Sequence, residues 1–289
     1  MNLRAKSIVG GIVIAFASAP THAAKIFTEM QLGGQLGTEQ FHWADLNRQD
    51  NVIGKEEGSR TSVGISFANY YRRSPGVILG AAINFSSGDL TYAGDAWSGV
   101  QVPPSQAANT QADSDSKQFG FGIQGGYRYV SGKAGFNLLG GVLHNTWSRE
   151  ISDGISTTGA LTYGHNESIG VYAFRLSAGV DYTLPRFRLA LALGPMFPGG
   201  TRSVHLKAPT SDDDFSEDVN FLNAYFATLN SSLSLDDTGR HHATLDVYWN
   251  QFRTKASRTT YVSPRGTAYL QPGAELSTLG VQIGYSYRF

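Results

Sequence analysis

The feature that most constrains the fold is a strict two-residue alternation that runs to the last residue of the chain. From Leu279 to Phe289, apolar or aromatic residues take every odd position and small or polar residues take every even one. Successive side chains of a β-strand point to opposite faces, so this pattern predicts a strand with one apolar wall and one polar wall. The chain therefore ends in a strand that needs apolar surroundings on one side only.

The same alternation recurs along the chain in segments of about ten residues. It predicts ten strands, at residues 26–36, 61–71, 77–85, 118–129, 136–147, 172–184, 187–194, 225–235, 243–249 and 278–289. The composition agrees, because 34 glycines and 30 tyrosines plus phenylalanines, with only 16% charged residues, favour β-structure over helix. After residue 23 no stretch is long and apolar enough to cross a bilayer as a helix.

The predicted connections alternate between short and long. Tight turns are expected at residues 72–76, 131–133, 184–186 and 236–242, and longer polar loops at residues 37–60, 87–117, 148–167, 198–221 and 254–275. Short turns on one side and long loops on the other are typical of a transmembrane barrel. The predicted fold class is all-β, a transmembrane antiparallel up-and-down β-barrel of about ten strands, with twelve possible.

A soluble sandwich or lipocalin also alternates, and the alternation alone does not say which wall faces water. Two features favour the membrane barrel. The polar walls mix small residues with Arg, Asp and Gln, which suits a narrow interior, and the apolar walls carry aromatic residues near strand ends, where membrane girdles lie.

The first 23 residues are predicted to be a signal peptide rather than part of the fold. Arg4 and Lys6 precede an apolar run at residues 7–19, and small residues lead to a cleavage site after Ala23. Residues 24–289 then form one outer-membrane barrel domain. The chain has no cysteine, so an exported protein of this sequence must be held together without disulfides.

The terminal strand resembles the C-terminal signal of Gram-negative outer-membrane proteins. The residues that carry the resemblance are Leu279, Val281, Ile283, Tyr285, Tyr287 and Phe289, and the final GYSYRF also looks like the end of autotransporter barrel domains. The resemblance implies export to the outer membrane of a Gram-negative bacterium. It also implies the barrel-assembly machinery, outer-membrane lipid and lipopolysaccharide as partners.

A ten-stranded barrel is narrow, so side chains should fill much of its interior. The charged residues predicted to face inward are Glu29, Arg128, Arg175, Asp181, Arg188, Asp246 and Arg288. Because an isolated buried ion is costly, charges of both signs in a confined space should pair. The sequence therefore predicts a lumen plugged by an ionic network.

The search for catalytic patterns gives no complete set. Omptin proteases resemble this chain in strand number and size, but their pattern needs an Asp-x-His pair that is absent here, and only Asp113-x-Asp115 matches the other half. Phospholipase and lipid A deacylase barrels use His-x-Ser, which is also absent. We expect a protein that is not an enzyme, although a triad of distant residues stays open.

Neither metal nor nucleic acid is expected. The adjacent His241 and His242 should point to opposite faces of a strand, and the acidic run at residues 211–218 lacks the spacing of a calcium loop. We therefore predict no metal and no cofactor. The formal net charge of zero gives no case for a nucleic-acid partner.

The predicted role is surface interaction, adhesion or structural support through the long extracellular loops. Aromatic residues in those loops are candidates for contact with an extracellular ligand, namely Phe41, Trp43, Tyr92 and Trp97. Two alternatives stay open, a narrow porin-like solute channel and a passenger-less translocator barrel of the autotransporter type.

Overall fold

The computed structural model describes residues 30–69, 75–94, 110–155, 161–206, 213–256, 261–262, 268–269 and 272–289. The predicted signal peptide, Glu29 and Trp97 lie outside these residues. The described strands, in chain order, are β1 (Met30–Leu46), β2 (Val52–Asn69), β3 (Gly76–Gly94), β4 (Thr110–Ser131), β5 (Ala134–Ile151), β6 (Gly154–Ile155), β7 (Leu161–Thr162), β8 (His165–Thr183), β9 (Phe187–Leu206), β10 (Asp213–Asp218), β11 (Phe221–Ser234), β12 (His241–Thr254), β13 (Tyr261–Val262), β14 (Ala268–Tyr269) and β15 (Gly273–Arg288).

Ten of these strands close into an antiparallel barrel. Their order around the wall is β1, β2, β3, β4, β5, β8, β9, β11, β12 and β15, and β15 returns to pair with β1 from Arg288 opposite Gln31 to Gly273 opposite Leu46. Closure gives every wall strand two partners, so no long sheet edge is left open. The all-β barrel and its ten strands are confirmed. No helix in the described part of the chain is long and apolar enough to cross a bilayer.

The described tight turns, which follow β4, β8 and β11, lie together at one end of the barrel, and most of the turn predicted at residues 72–76 lies outside the described residues. Gly132 and Gly239 have φ of 62° and 67°, a left-handed conformation that glycine adopts without strain. The carboxylate of Asp236 caps the turn that contains Gly239. Its pKa is lowered to about 2, because it accepts hydrogen bonds from the Thr238 hydroxyl and from the backbone N–H of His241 and Arg240. We call the part of the wall next to these turns the turn half, and the opposite part the rim half.

The turn half has apolar side chains outside and polar side chains inside. Large outward side chains come from every wall strand and include Leu36, Ile65, Ile83, Phe121, Leu138, Leu176, Leu191, Leu229, Leu245 and Ile283. The terminal-strand residues Leu279, Val281, Tyr285 and Phe289 are also exposed on this outer face. A belt of this kind needs lipid around it, since water would leave a very large apolar surface exposed.

The rim half has the reverse polarity. On β1 the outward residues Gln40 and His42 are polar, while the inward residues Phe41 and Trp43 are 3% and 2% exposed. Inward apolar side chains form one buried cluster, made of Phe41, Trp43, Leu90, Trp147, Ile169, Val171, Ala173, Met196, Ala224, Phe226, Phe252, Ala274 and Leu276. The wall is therefore membrane-like near the turns and resembles a water-soluble protein near the rim.

This reversal corrects the predicted loops. Most of residues 37–60 and both ends of 87–117 are paired strand, and the wall strands are 14–22 residues long. About ten residues suffice to cross a bilayer, so each strand continues well beyond it. The outward-apolar alternation ends where the outward side chains become polar. The apolar pattern therefore predicts only the turn half as strand, and the rim half resembles loops in sequence.

Two adjacent glycines of β9 provide a test of wall packing. A Cβ on Gly200 would collide with the carbonyl oxygen of Gly170 on β8, whereas a Cβ on Gly199 meets no atom within 4 Å. We expect Gly200→Ala to lower the free energy of unfolding by about 1–3 kcal/mol, since the strand must shift to relieve the overlap. Gly199→Ala should leave it nearly unchanged. Urea unfolding of the two variants in lipid vesicles measures the difference, and equal stability would contradict this packing.

Candidate functional site

A polar chamber occupies the interior of the turn half. It has a volume of about 290 Å³. Half of its lining residues carry amide or hydroxyl side chains, including Gln31, Gln35, Gln124, Asn137, Thr228, Asn230, Ser232, Thr244 and Ser286. Arg186 and Phe187, which lie at a tight turn, also line it, so the chamber lies at the turn end of the barrel. Groups of this kind can hold water or a small polar molecule.

The predicted inward charges fall into separate places rather than one network. Arg128 donates to Asp181 from Nε to Oδ1 at 2.8 Å and from Nη2 to Oδ2 at 2.5 Å, and Arg188 Nη2 lies 3.7 Å from the same carboxylate. Strand register brings this pair together. Arg128 on β4 lies opposite Asn137 on β5. Gly135, two residues before Asn137, lies opposite Asp181 on β8. Glycine at 135 leaves room for both side chains.

The other predicted inward residues lie apart from that pair. Asp246 accepts hydrogen bonds from the amides of Gln35 and Asn230. Arg175 donates to Gln124 at 3.1 Å. Arg288 lies at the turn end of β15, where its backbone N–H donates to the carbonyl of Arg240.

A second ionic cluster, which was not predicted from the sequence, lies inside the rim half. Arg149 Nη2 lies 3.0 Å from Asp45 Oδ2 and 2.6 Å from Glu167 Oε2, and its Nη1 lies 3.2 Å from Glu56 Oε2. Arg202 pairs with both Asp45 and Glu167. The five side chains come from β1, β2, β5, β8 and β9, and all are at least 90% buried. Ion pairs from so many strands cross the lumen and tie its walls together.

The sequence does carry a signal for this rim cluster. Four of the five charges lie two residues from a buried apolar side chain on the same face, as Arg149 follows Trp147 and Glu167 precedes Ile169. The exception is Glu56, which has glycine at both of these positions. Such a face is a packed interior with ion pairs in it. The loop prediction covers these segments because their outward residues are polar, although the alternation continues through them.

The charges of the rim cluster are unequally stabilised. Burial opposes ionisation of Asp45, but the guanidinium groups of Arg149 and Arg202 hold its pKa below its ordinary value. Burial raises the pKa of Glu56, and Arg149 only partly offsets this effect. Glu56 Oε1 is buried without a hydrogen-bond partner in the structure. Glu56 therefore binds a proton more readily than Asp45 does.

Aromatic rings close the lumen between the chamber and the rim cluster. Trp147 on β5 and Phe252 on β12 meet edge to face at 5.1 Å between ring centroids, although three wall strands separate β5 from β12 along the shorter path. On the turn side of these rings, the Cζ atom of Arg60 lies 4.0 Å from the ring centroid of Phe41, and its guanidinium pairs with Glu39. Tyr248 donates to the same carboxylate at 2.6 Å. Side chains from around the wall thus fill this level of the barrel.

The prediction that aromatic loop residues contact an extracellular ligand is wrong for the three that the structure describes. Phe41, Trp43 and Tyr92 are 3%, 2% and 5% exposed and point into the barrel, so they do not form an exposed contact surface. Trp43 instead donates from Nε1 to Asp45 at 2.9 Å and lies under the guanidinium of Arg149. Their aromatic character reflects packing across the lumen.

No described residues join a serine, a histidine and a carboxylate in one chain of hydrogen bonds on the outer wall. His205 and Asp214 lie 2.7 Å apart on neighbouring strands, but the hydroxyl of Ser203 beside them bonds to Ser216 at 3.3 Å. Asp113 and Asp115 face outward from β4 rather than into the rim. Among the described residues, no group of three or more His, Asp or Glu could hold a metal ion.

In the chamber, a different histidine approaches a serine. Ser232 Oγ lies 3.3 Å from His242 Nδ1, and the other ring nitrogen lies 2.9 Å from the Gly239 carbonyl oxygen. The ring is thus oriented by a backbone carbonyl rather than by the carboxylate of a triad. This contact ties β11 to β12 near the tight turn.

Comparison with known proteins shows a shared fold. No protein-family model matches the chain, and no curated protein does. Among solved structures, the outer membrane protease OmpT from Escherichia coli aligns with a TM-score of 0.64 at 12% identity, over 90% of this chain and 97% of that one. This likeness shows the fold alone.

Two other barrels align more loosely. The translocator domain of the autotransporter NalP from Neisseria meningitidis has a TM-score of 0.41 at 16% identity, over 93% of this chain and 92% of that one. The toluene transporter TodX from Pseudomonas putida has a TM-score of 0.40 at 12% identity, over 90% and 88%. The fold of this chain is that of an outer-membrane β-barrel.

Proposed function

We propose that this protein is an integral outer-membrane barrel that does not conduct solutes and that presents a rigid polar wall at the cell surface. The observation that carries the proposal is the reversal of wall polarity between the two halves. Lipid suits the outer face of the turn half, and water or lipopolysaccharide sugars suit the outer face of the rim half. The role is non-enzymatic, by interaction or support rather than by chemistry.

The proposed location in the outer membrane follows from the apolar outer face of the turn half and from the terminal strand. Apolar side chains surround the turn half on all ten wall strands, as in barrels that cross the outer membrane. The terminal strand carries the apolar residues and the final Phe289 that the barrel-assembly machinery would recognise. Removal of residues 1–23 during export completes this proposal.

The filled lumen argues against the channel and the translocator. The buried cluster of the rim half draws residues from eight of the ten wall strands, and β2 and β4 add Arg60 and Gln118, which hydrogen bond to each other at 2.7 Å. A solute or an unfolded chain would have to displace both these side chains and the ion pairs of the rim cluster. The interior packing therefore favours a closed barrel.

The outer face of the rim half offers the interaction surface. Strand register aligns hydroxyl side chains in one row across β5, β8, β9 and β10, formed by Ser148, Ser168, Ser203 and Ser216. A parallel row on the same face carries Asp115, Glu150, Asn166, His205 and Asp214. Hydroxyl, amide and carboxylate groups on this surface can hydrogen bond to sugar hydroxyls, so lipopolysaccharide and extracellular glycans are the partners that it fits.

Conductance tests the closed lumen. The folded mature protein, inserted into planar bilayers, should give no stable current steps, because buried side chains block the rim half. The double variant Trp147→Ala with Phe252→Ala, which removes the two rings that meet across the lumen, should give brief currents. Uniform, long-lived steps from the unaltered protein would contradict the proposal and favour a porin-like channel.

Binding of lipopolysaccharide tests the polar wall. Ser168→Glu with Ser203→Glu places carboxylates in the hydroxyl row, beside Glu150 and Asp214, so affinity for purified lipopolysaccharide should fall by about tenfold or more. Ser277→Glu, on the outer face of β15, is the matched control and should change little. Binding in lipid nanodiscs, measured by calorimetry, gives the comparison. Equal affinity of both variants and the unaltered protein would overturn this surface assignment.

A further inference from the structure

Arg175 places a guanidinium in the interior at the level of the lipid belt. Its neighbours in β8, Phe174 and Leu176, are exposed on the outer wall, so Arg175 points inward at that level. Its Nη2 donates to Gln124 Oε1 at 3.1 Å, and its central carbon lies 4.0 Å from the ring centroid of Phe226. No carboxylate of the described residues lies within ion-pair distance of it.

Other interior arginines show what Arg175 lacks. Each of these pairs with at least one carboxylate: Arg60, Arg128, Arg149, Arg188 and Arg202. Asp246, an interior carboxylate that makes no ion pair among the described residues, is held by the amides of Gln35 and Asn230. Arg175 is thus a cation in a confined interior whose charge is balanced by one amide oxygen and one aromatic face.

A cavity of about 190 Å³ lies beside this guanidinium. The adjoining wall on β3, β4 and β5 carries residues with little or no side chain, Gly80, Ala82, Gly122 and Gly141, which leaves the space open. Gln124 lines both this cavity and the larger polar chamber, as do Ser66 and Ala68. The guanidinium therefore borders space that adjoins the polar chamber at the turn end.

Charge and shape together identify what the space can bind. A guanidinium has five N–H donors in a planar fork, and a carboxylate or phosphate group matches that fork with two parallel hydrogen bonds. A buried cation without a counter-charge is costly, and an oxyanion would remove that cost. Gln124 can donate to the same anion from its amide nitrogen, since its oxygen accepts from Arg175.

We propose that the cavity beside Arg175 binds a small oxyanion, a molecule carrying a carboxylate or phosphate group, which enters from the turn end of the barrel. Arg175 and Gln124 hold the anionic group. The amide and hydroxyl side chains of the chamber accommodate the polar remainder of the molecule. On this account the barrel is closed toward the rim but contains a ligand site open toward the turns.

Anion binding by the folded mature protein tests the proposal. Calorimetric titrations in detergent at constant ionic strength use sodium acetate, sodium phosphate and sodium chloride as probes. Saturable binding of acetate or phosphate, but not of chloride, is expected. Arg175→Gln should weaken it by about tenfold or more, and Arg175→Lys should weaken it less because it keeps the charge but loses the fork. Arg253→Gln, which removes an outward-facing cation, is the matched control and should bind like the unaltered protein.

A readout on the unaltered protein covers the case in which the Gln variant does not fold. Phenylglyoxal modifies accessible guanidinium groups, and mass spectrometry locates the modified arginine. Bound acetate or phosphate should protect Arg175 and leave Arg253 reactive. Absence of saturable binding, equal binding by Arg175→Gln, or no protection of Arg175 would each overturn the proposal.

Discussion

Pairing of every backbone N–H and C=O within the sheet is the constraint on which this structure depends. In hydrocarbon an unpaired peptide group is too costly to persist, so a strand that crosses a membrane needs two neighbours. The pairing of β1 with β15 meets that need by closing the wall. Closure also fixes which residues face inward, because alternate side chains on every strand must point into one narrow space.

Lipid and water then surround different halves of one continuous wall. Near the tight turns, lipid outside selects Leu, Ile and Phe for the outer face and leaves polar groups for the chamber. Near the rim, water outside favours polar residues on the outer face, and the apolar side chains of Trp43, Trp147 and Phe252 lie on the inner face. The reversal closes the lumen without a separate plug domain. It also explains why ion pairs such as Arg149 with Asp45 lie inside, where the rings around them exclude water.

The turn half could be predicted from sequence because lipid requires apolar residues at every second position of its strands. Strand β15 shows an unbroken alternation, and the ten crossings, the tight turns and the barrel class follow from such segments. The rim half could not, since outward-polar strands such as the end of β1 resemble loops when only apolar outer faces are sought. Residues such as Arg128 and Asp181 can be assigned to the interior, but only register across β4, β5 and β8 shows that they meet. The same register leaves Arg175 without a carboxylate, and no pattern in the chain indicates that.

Accessibility along β8 tests the central claim, the reversal of wall polarity, most directly. The natural chain has no cysteine, so single cysteines can be placed without background at outward positions in each half, Asn166 and Ser168 near the rim and Leu176 and Val180 near the turns. In lipid vesicles, a water-soluble maleimide should label the two rim positions readily and the two turn positions only after denaturation. Equal labelling of all four positions, or faster labelling of Leu176 and Val180, would contradict the account.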